Sequence, residues 1–85
     1  MGTKKRPKVT RLGEKLLKIR KHLDLSQNEI LDKLDLKENV VRSSISAFER
    51  GVREPSYPIL LKYAKLVGIS TDDLIDDERD LNLSV

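Results

Sequence analysis

Two short stretches constrain this chain more than anything else in it. The first is Leu25-Ser26-Gln27-Asn28-Glu29-Ile30. Ser26-x-x-Glu29 is a capping box, in which the hydroxyl takes an orphan amide and the carboxylate reaches back to the serine N–H. It predicts a helix opening at Ser26, with Ile30, Leu31 and Leu34 as its apolar face. The second is Ser44-Ile45-Ser46-Ala47-Phe48-Glu49-Arg50-Gly51. Val41, Ile45 and Phe48 recur at i, i+4 and i+7, one face of a helix. Gly51 suits the C′ position that ends it. The opposite face carries Arg42, Ser43, Ser46 and Ala47. Helices this short are marginal alone, so both must bury their apolar faces against others.

The rest of the chain supplies those partners. Leu12, Leu16, Ile19 and Leu23 predict helix 1 from about Thr10 to His22. Asp24 then stands where the chain turns with positive φ, which Asp tolerates better than most residues. Ser56 is expected to cap helix 4, with Pro58 accepted in its first turn and Gly68 at its end. Ser70-x-x-Asp73 caps a short helix 5 holding Leu74 and Ile75. The expectation is an all-α bundle of five short helices, preceded by a flexible basic arm at 1–9 and followed by a tail at 77–85. The tail residues Asp80-Leu81-Asn82-Leu83-Ser84-Val85 alternate apolar and polar. That is a strand period, and such a strand either pairs with a second copy or is frayed.

Eighty-five residues suffice for one modest core. Cysteine is absent and His22 is the single histidine, which leaves no disulfide and no imidazole cluster for a metal. No cofactor is expected. Nothing approaches the ~20 apolar residues of a membrane span, nor a signal-peptide core, so a cytoplasmic protein is expected. No nucleophile–base pair or glycine-rich phosphate loop is present, and an enzyme is not expected. The net charge of +3 is unevenly placed. Lys4, Lys5, Arg6, Lys8 and Arg11 form a basic run, while Asp72, Asp73, Asp76, Asp77, Glu78 and Asp80 form an acidic one. The expected polarity has one end drawn to phosphates and the other repelled; the bland reading is two solvated tails.

The helix pair at 25–30 and 44–51 resembles the helix-turn-helix of the Cro/repressor-like (Xre) family, with its lambda-repressor-like fold, over roughly residues 10 to 76. The resemblance implies a DNA-binding domain in which helix 2 lies across the backbone and helix 3 enters the major groove. It maps the family's base-contacting positions onto Arg42, Ser43, Ser46 and Ala47. A guanidinium can fork onto O6 and N7 of guanine, which makes Arg42 the leading candidate for readout. Ser43 and Ser46 can bond bases or phosphates, and Ala47 admits a thymine methyl. Ser44 fits nearer the phosphate backbone. Gln27 opens helix 2, where free amides and the helix dipole favour an anion, and the family commonly places a Gln there for a phosphate. Arg50 and Arg53 would straddle further phosphates, with Lys37 in the loop and Lys5 and Arg6 in the arm adding to them. For Arg50 the plainer role is a partner for the helix C-terminus. In the family an acid at the Glu49 position pairs with an Arg on helix 1, here Arg20, and this ion pair is read as structural.

The chain departs from the family between helices 2 and 3. Asp24 and Asp35 stand in place of the usual turn glycines. Asp35-Leu36 match the usual first step, and Lys37-Glu38-Asn39-Val40 are extra. Val41 falls where a cap belongs, so Asn39 is expected to cap helix 3 early. Two copies reading half-sites one helical turn apart would give tight, specific binding. Ile59, Tyr63 and Leu66 form a second apolar stripe on helix 4. With Leu74, Leu81 and Leu83 they are expected to bury a homodimer interface; the alternative is a tail folded back over the stripe within one chain. The function expected is a homodimeric, sequence-specific regulator, a repressor on an inverted-repeat operator of double-stranded DNA. The competing reading is an antitoxin or other interaction module whose main partner is a protein such as a toxin.

Overall fold

The computed structural model describes residues 11–35 and 42–83. Five helices follow in order: α1 (Leu12–His22), α2 (Gln27–Leu34), α3 (Arg42–Glu49), α4 (Tyr57–Val67) and α5 (Thr71–Ile75). This is the all-α bundle expected. Leu12, Leu16 and Ile19 of α1 meet Ile30 and Leu34 of α2, Ile45 and Phe48 of α3, Leu60, Tyr63 and Ala64 of α4, and Leu74 of α5 in one core. The cause is periodicity: each helix turns its i, i+3/i+4 apolar residues to the same side.

Local signals set most of the helix ends. Ser26 accepts from Glu29 N at 3.1 Å, and Glu29 Oε1 accepts from Ser26 N at 2.7 Å. Ser70 and Asp73 close the same box on α5. Asp24 and Asp35 adopt φ of 58° and 52°, the left-handed region that glycine would occupy at less cost. After α3, Val52 N donates to Ala47 O and Gly51 N to Phe48 O, with Gly51 at φ 76°, a Schellman ending. One cap differs from expectation. Ser56 occupies the N-cap of α4 in extended backbone but makes no side-chain cap bond. Asn39 and Val41, expected to start α3, lie outside the described residues, as does Thr10 at the expected start of α1.

Two features of α1 hold the bundle. Gly13 is buried, and a Cβ there would lie 2.7 Å from Glu49 O and 3.0 Å from Phe48 O. The two backbones touch, which only glycine permits. Lys15 is the second feature. It is 2% exposed, yet charged, and its ammonium donates to Asp73 O at 2.7 Å and Asp76 O at 2.9 Å. A cation there faces the negative end of α5. Burial lowers its pKa, with Arg11 adding to the effect.

The ends of the chain correct two expectations. Among the described residues there is no strand. Leu81 is instead 5% exposed, inserted in the core, with Leu83 packed against it. The pleat-like alternation of the tail therefore reflects one face buried against α1. Arg11, expected in the basic run, also lies against the acidic segment. Arg11 donates to Asp77 O at 2.7 Å and to Asp80 Oδ1 at 2.7 Å, and its backbone N–H donates to Asp77 Oδ1 at 3.0 Å. Arg11 thus serves the fold. Opposite charges brought together from distant parts of the chain attract each other, and the rest of the basic run lies outside the described residues.

Three carboxyls sit below their ordinary pKa. Glu29 is held by the Ser26 N–H, Asp73 by Arg79 and Ser70, and Asp80 by Arg11. Each releases its proton more readily folded than unfolded, so its contribution is complete above the ordinary carboxylate range and is lost as pH falls through the folded value. Thermal unfolding followed from about pH 6 down to about pH 2 should show Tm falling below about pH 4. Asp80→Asn should flatten that acid limb, and an unchanged limb would contradict the Arg11 clasp. Gly13→Ala should destabilise by about 1–3 kcal/mol through overpacking. Helix propensity alone would stabilise it by about 1 kcal/mol, so the sign of the change in urea unfolding decides between the two.

Candidate nucleic-acid interface

The outward face of α3 begins with Arg42 and Ser43, both exposed, and continues with Ser46 and Ala47, both half-buried. Ile45 and Phe48 point into the core at 0% and 2% exposure. The helix is held from beneath by these two and presents short side chains above. At Ser43, Ser46 and Ala47 the side chains are short enough for this backbone to approach a groove floor closely.

Five of the expected contact residues, Gln27, Ser44, Ser46, Arg50 and Arg53, have intramolecular partners. Arg50 Nε donates to Ser46 Oγ at 3.3 Å, one turn back along α3. Arg53 lies with its guanidinium carbon 5.7 Å from the centre of the Phe48 ring. Its Nη1 donates to Ser44 Oγ at 3.3 Å. Ser44 is 4% exposed, so its hydroxyl is turned into the protein and bonded to Arg53 instead of facing a phosphate. The small size that suggested approach to DNA is used for packing. Lys37, Lys5 and Arg6 lie outside the described residues.

Beside the C-terminal end of α3 is a buried polar hub. Arg20 Nε donates to Glu49 Oε2 at 2.7 Å and Nη2 to Glu49 Oε1 at 3.0 Å. The pairing is two-pronged, which fixes both planes. The side chains are 16% and 5% exposed. The third nitrogen, Nη1, donates to Leu25 O at 3.0 Å and so secures the turn between α1 and α2. Gln27 Nε2 donates to Glu49 Oε1 at 3.2 Å. Side chains from α1 and α2 therefore converge on one carboxylate of α3. The Glu49 hydrogen bond raises the Arg20 pKa further.

Tyr63 stands near this hub and was misplaced by sequence reasoning. It is 0% exposed, and its hydroxyl has no hydrogen-bond partner among the described residues. Burial, and after it the Glu49 carboxylate, raises its pKa. Leu74 and Leu81 are likewise in the core at 0% and 5%. These three, expected at a surface facing a second copy, are covered within the chain itself, which is the fold-back alternative. Ile59, Leu66 and Leu83 remain half-buried. Among the described residues, the large apolar side chains left exposed are Val52, Tyr57, Leu61 and Ile75.

Sequence reasoning missed Gly13 and Lys15. Gly13 had a signal: a glycine inside a helical pattern costs about 1 kcal/mol, so it generally has a packing reason. Lys15 had none, because lysine in a helix is ordinarily a solvated residue. Among the described residues no three His, Asp or Glu side chains converge to hold a metal ion, and no helix is long and apolar enough to cross a membrane.

Comparison with known proteins agrees with this geometry. The family described as a helix-turn-helix domain matches residues 13–79. Two curated proteins of Bacillus subtilis (strain 168) align over 68 residues. The uncharacterized HTH-type transcriptional regulator YqaE is 35% identical, across 80% of this chain and 55% of its own length. The HTH-type transcriptional regulator ImmR is 34% identical, across 80% of this chain and 50% of its own length. The chain thus spans about half the length of the curated relatives it matches. No solved structure gives a significant match.

The hub makes two expectations testable by unfolding. Arg20→Met leaves Glu49 buried without its cation, at a cost of about 3–5 kcal/mol. Arg20→Met combined with Glu49→Met should cost less than either change alone, and a double variant as unstable as the sum would argue against a buried pair. Tyr63→Phe removes an unsatisfied hydroxyl and should leave Tm unchanged or raised. A clear fall in Tm would show that the hydroxyl has a partner.

Proposed function

This chain belongs to the helix-turn-helix family of DNA-binding transcriptional regulators, and from that premise we propose that it binds an inverted-repeat operator as a homodimer and represses transcription by occluding a promoter. The observation that carries this reading is the outward face of α3. Arg42 and Ser43 stand free of the core at its N-terminal end, Ser46 and Ala47 follow one turn on, and Arg50 and Arg53 flank its C-terminal end. Arg42 reads a guanine, while Gln27, Arg50 and Arg53 contact phosphates and set the register. The Arg50–Ser46 and Arg53–Ser44 bonds keep two cations beside the reading helix before DNA arrives, which lowers the ordering cost of binding. The second copy packs on the half-buried Ile59, Leu66 and Leu83. A single eight-residue reading helix reaches few base pairs, and a dyad doubles them.

The test is selection of bound duplexes from a random library at near-physiological salt. An inverted repeat with half-site centres about one helical turn apart is expected. Lack of any enriched sequence would contradict specific recognition. On the selected duplex, Arg42→Ala should relax preference at one base pair per half-site, a loss of about 1–3 kcal/mol of discrimination. Gln27→Ala and Arg53→Ala should weaken selected and random duplexes equally. Deleting residues 1–9 should flatten the log–log salt dependence by about 0.9 for each phosphate the arm neutralises, and an unchanged slope would make the arm idle.

A further inference from the structure

Gln27 is more constrained than a phosphate contact requires. It opens α2, where first-turn amides and the helix dipole favour an anion. Its side chain is half-buried, and Nε2 donates to Glu49 Oε1 at 3.2 Å. That oxygen also accepts from Arg20 Nη2, while Arg20 Nε holds the other carboxylate oxygen. Arg20 is itself tied to Leu25 O. The guanidinium therefore fixes the plane of the carboxylate, and the carboxylate fixes the amide.

A primary amide has two N–H donors on one side and two lone pairs on the other. A phosphate oxygen accepts only, so the amide helps when N–H faces DNA and opposes binding when its oxygen does. For a surface glutamine the two orientations differ little in energy. Here they differ greatly. Rotating the amide by half a turn would set Gln27 Oε1 against Glu49 Oε1, acceptor against anionic acceptor, in a site where Glu49 is 5% exposed. Only the orientation with nitrogen toward Glu49 is allowed. One N–H is then used, and amide planarity determines where the second lies.

We propose that Glu49, which touches no DNA, is a positioning residue for DNA binding: it orients the Gln27 amide so that the second N–H meets a backbone phosphate, with Arg20 holding Glu49 in place. The inference rests on the DNA-binding reading above. It also has a distinctive sign. A carboxylate close to DNA repels phosphate, so neutralising it would ordinarily tighten binding. If Glu49 positions Gln27, neutralising it loosens binding instead.

The experiment is a double-mutant cycle in the full chain on both selected and random duplexes, using Gln27→Ala, Glu49→Gln and the two combined. Glu49→Gln is expected to weaken both duplexes by about threefold to tenfold, the worth of one hydrogen bond. The salt slope is expected to stay the same, since no phosphate-neutralising cation is lost. In the Gln27→Ala background the same change should have almost no effect. Tighter or unchanged binding of Glu49→Gln, or an equal loss in both backgrounds, overturns the proposal. Gln27 is the single glutamine of the chain, so its side-chain amide is a unique NMR signal. This second measurement needs no variant and stands even if Glu49→Gln fails to fold. In the free wild-type protein the proton bonded to Glu49 should lie away from the position of an exposed glutamine amide and exchange slowly with solvent, and the second should shift when duplex is added. A pair at the positions and with the rapid solvent exchange of an exposed glutamine amide overturns the positioning while leaving DNA binding intact. Failure of the wild-type chain to bind any duplex overturns the DNA-binding reading and the proposal together.

Discussion

The contact between Arg20 and Glu49 is the constraint on which the rest of this structure depends. A buried ion pair is a poor source of net stability, because desolvating both charges offsets much of their attraction. Its value here is geometric. A guanidinium has a rigid fork of donors, and a carboxylate accepts two of them in one plane. Arg20 uses that fork on Glu49 and its remaining nitrogen on the turn at Leu25, while Glu49 takes the amide of Gln27. The end of α3, the start of α2 and the turn between α1 and α2 are thereby set relative to one another. An apolar core can leave such elements free to slide by a fraction of an ångström; a satisfied polar network cannot.

Helix α1 is the scaffold for this arrangement and has two working sides. On one side Gly13 and Arg20, seven residues apart, both meet residue 49, the first at its carbonyl and the second at its carboxylate. Close approach at Gly13 brings Arg20 within reach of Glu49. On the other side Arg11 and Lys15, one turn apart, grip the end of α5 and the segment after it through backbone carbonyls. Leu81 then closes the core. Helix α3 and the C-terminal segment are thus supported by opposite sides of one helix. A segment that inserts a leucine into the core behaves as part of the domain, whatever its position along the chain.

The exposed face of α3 shows how small side chains serve two purposes. Ser43 and Ser46 face outward, while Ser44, between them, is buried and bonded to Arg53. Three serines in a run of four are indistinguishable by type, and only the helix phase separates the surface residues from the packed one. Phase follows from Ile45 and Phe48, whose burial fixes which direction is inward.

Much was legible in the sequence itself. Capping boxes at Ser26 and Ser70, the apolar periods of α1 to α3, the αL turns at Asp24 and Asp35 and the stops at Gly51 and Gly68 are local physics. Each depends on residues within a few positions, so adjacent letters suffice to find it. The Arg20–Glu49 pair was legible through family resemblance, since nothing local pairs two residues so far apart. Tertiary structure alone decided the remainder. It buried Lys15 on the carbonyls of α5, turned Arg11 from a candidate for DNA into a clasp for Asp77 and Asp80, and drew Tyr63, Leu74 and Leu81 inward. The reason is common to these cases. A charge or an apolar side chain is satisfied by whichever partner comes close, and closeness between distant residues is a property of packed helices that periodicity along the chain does not contain.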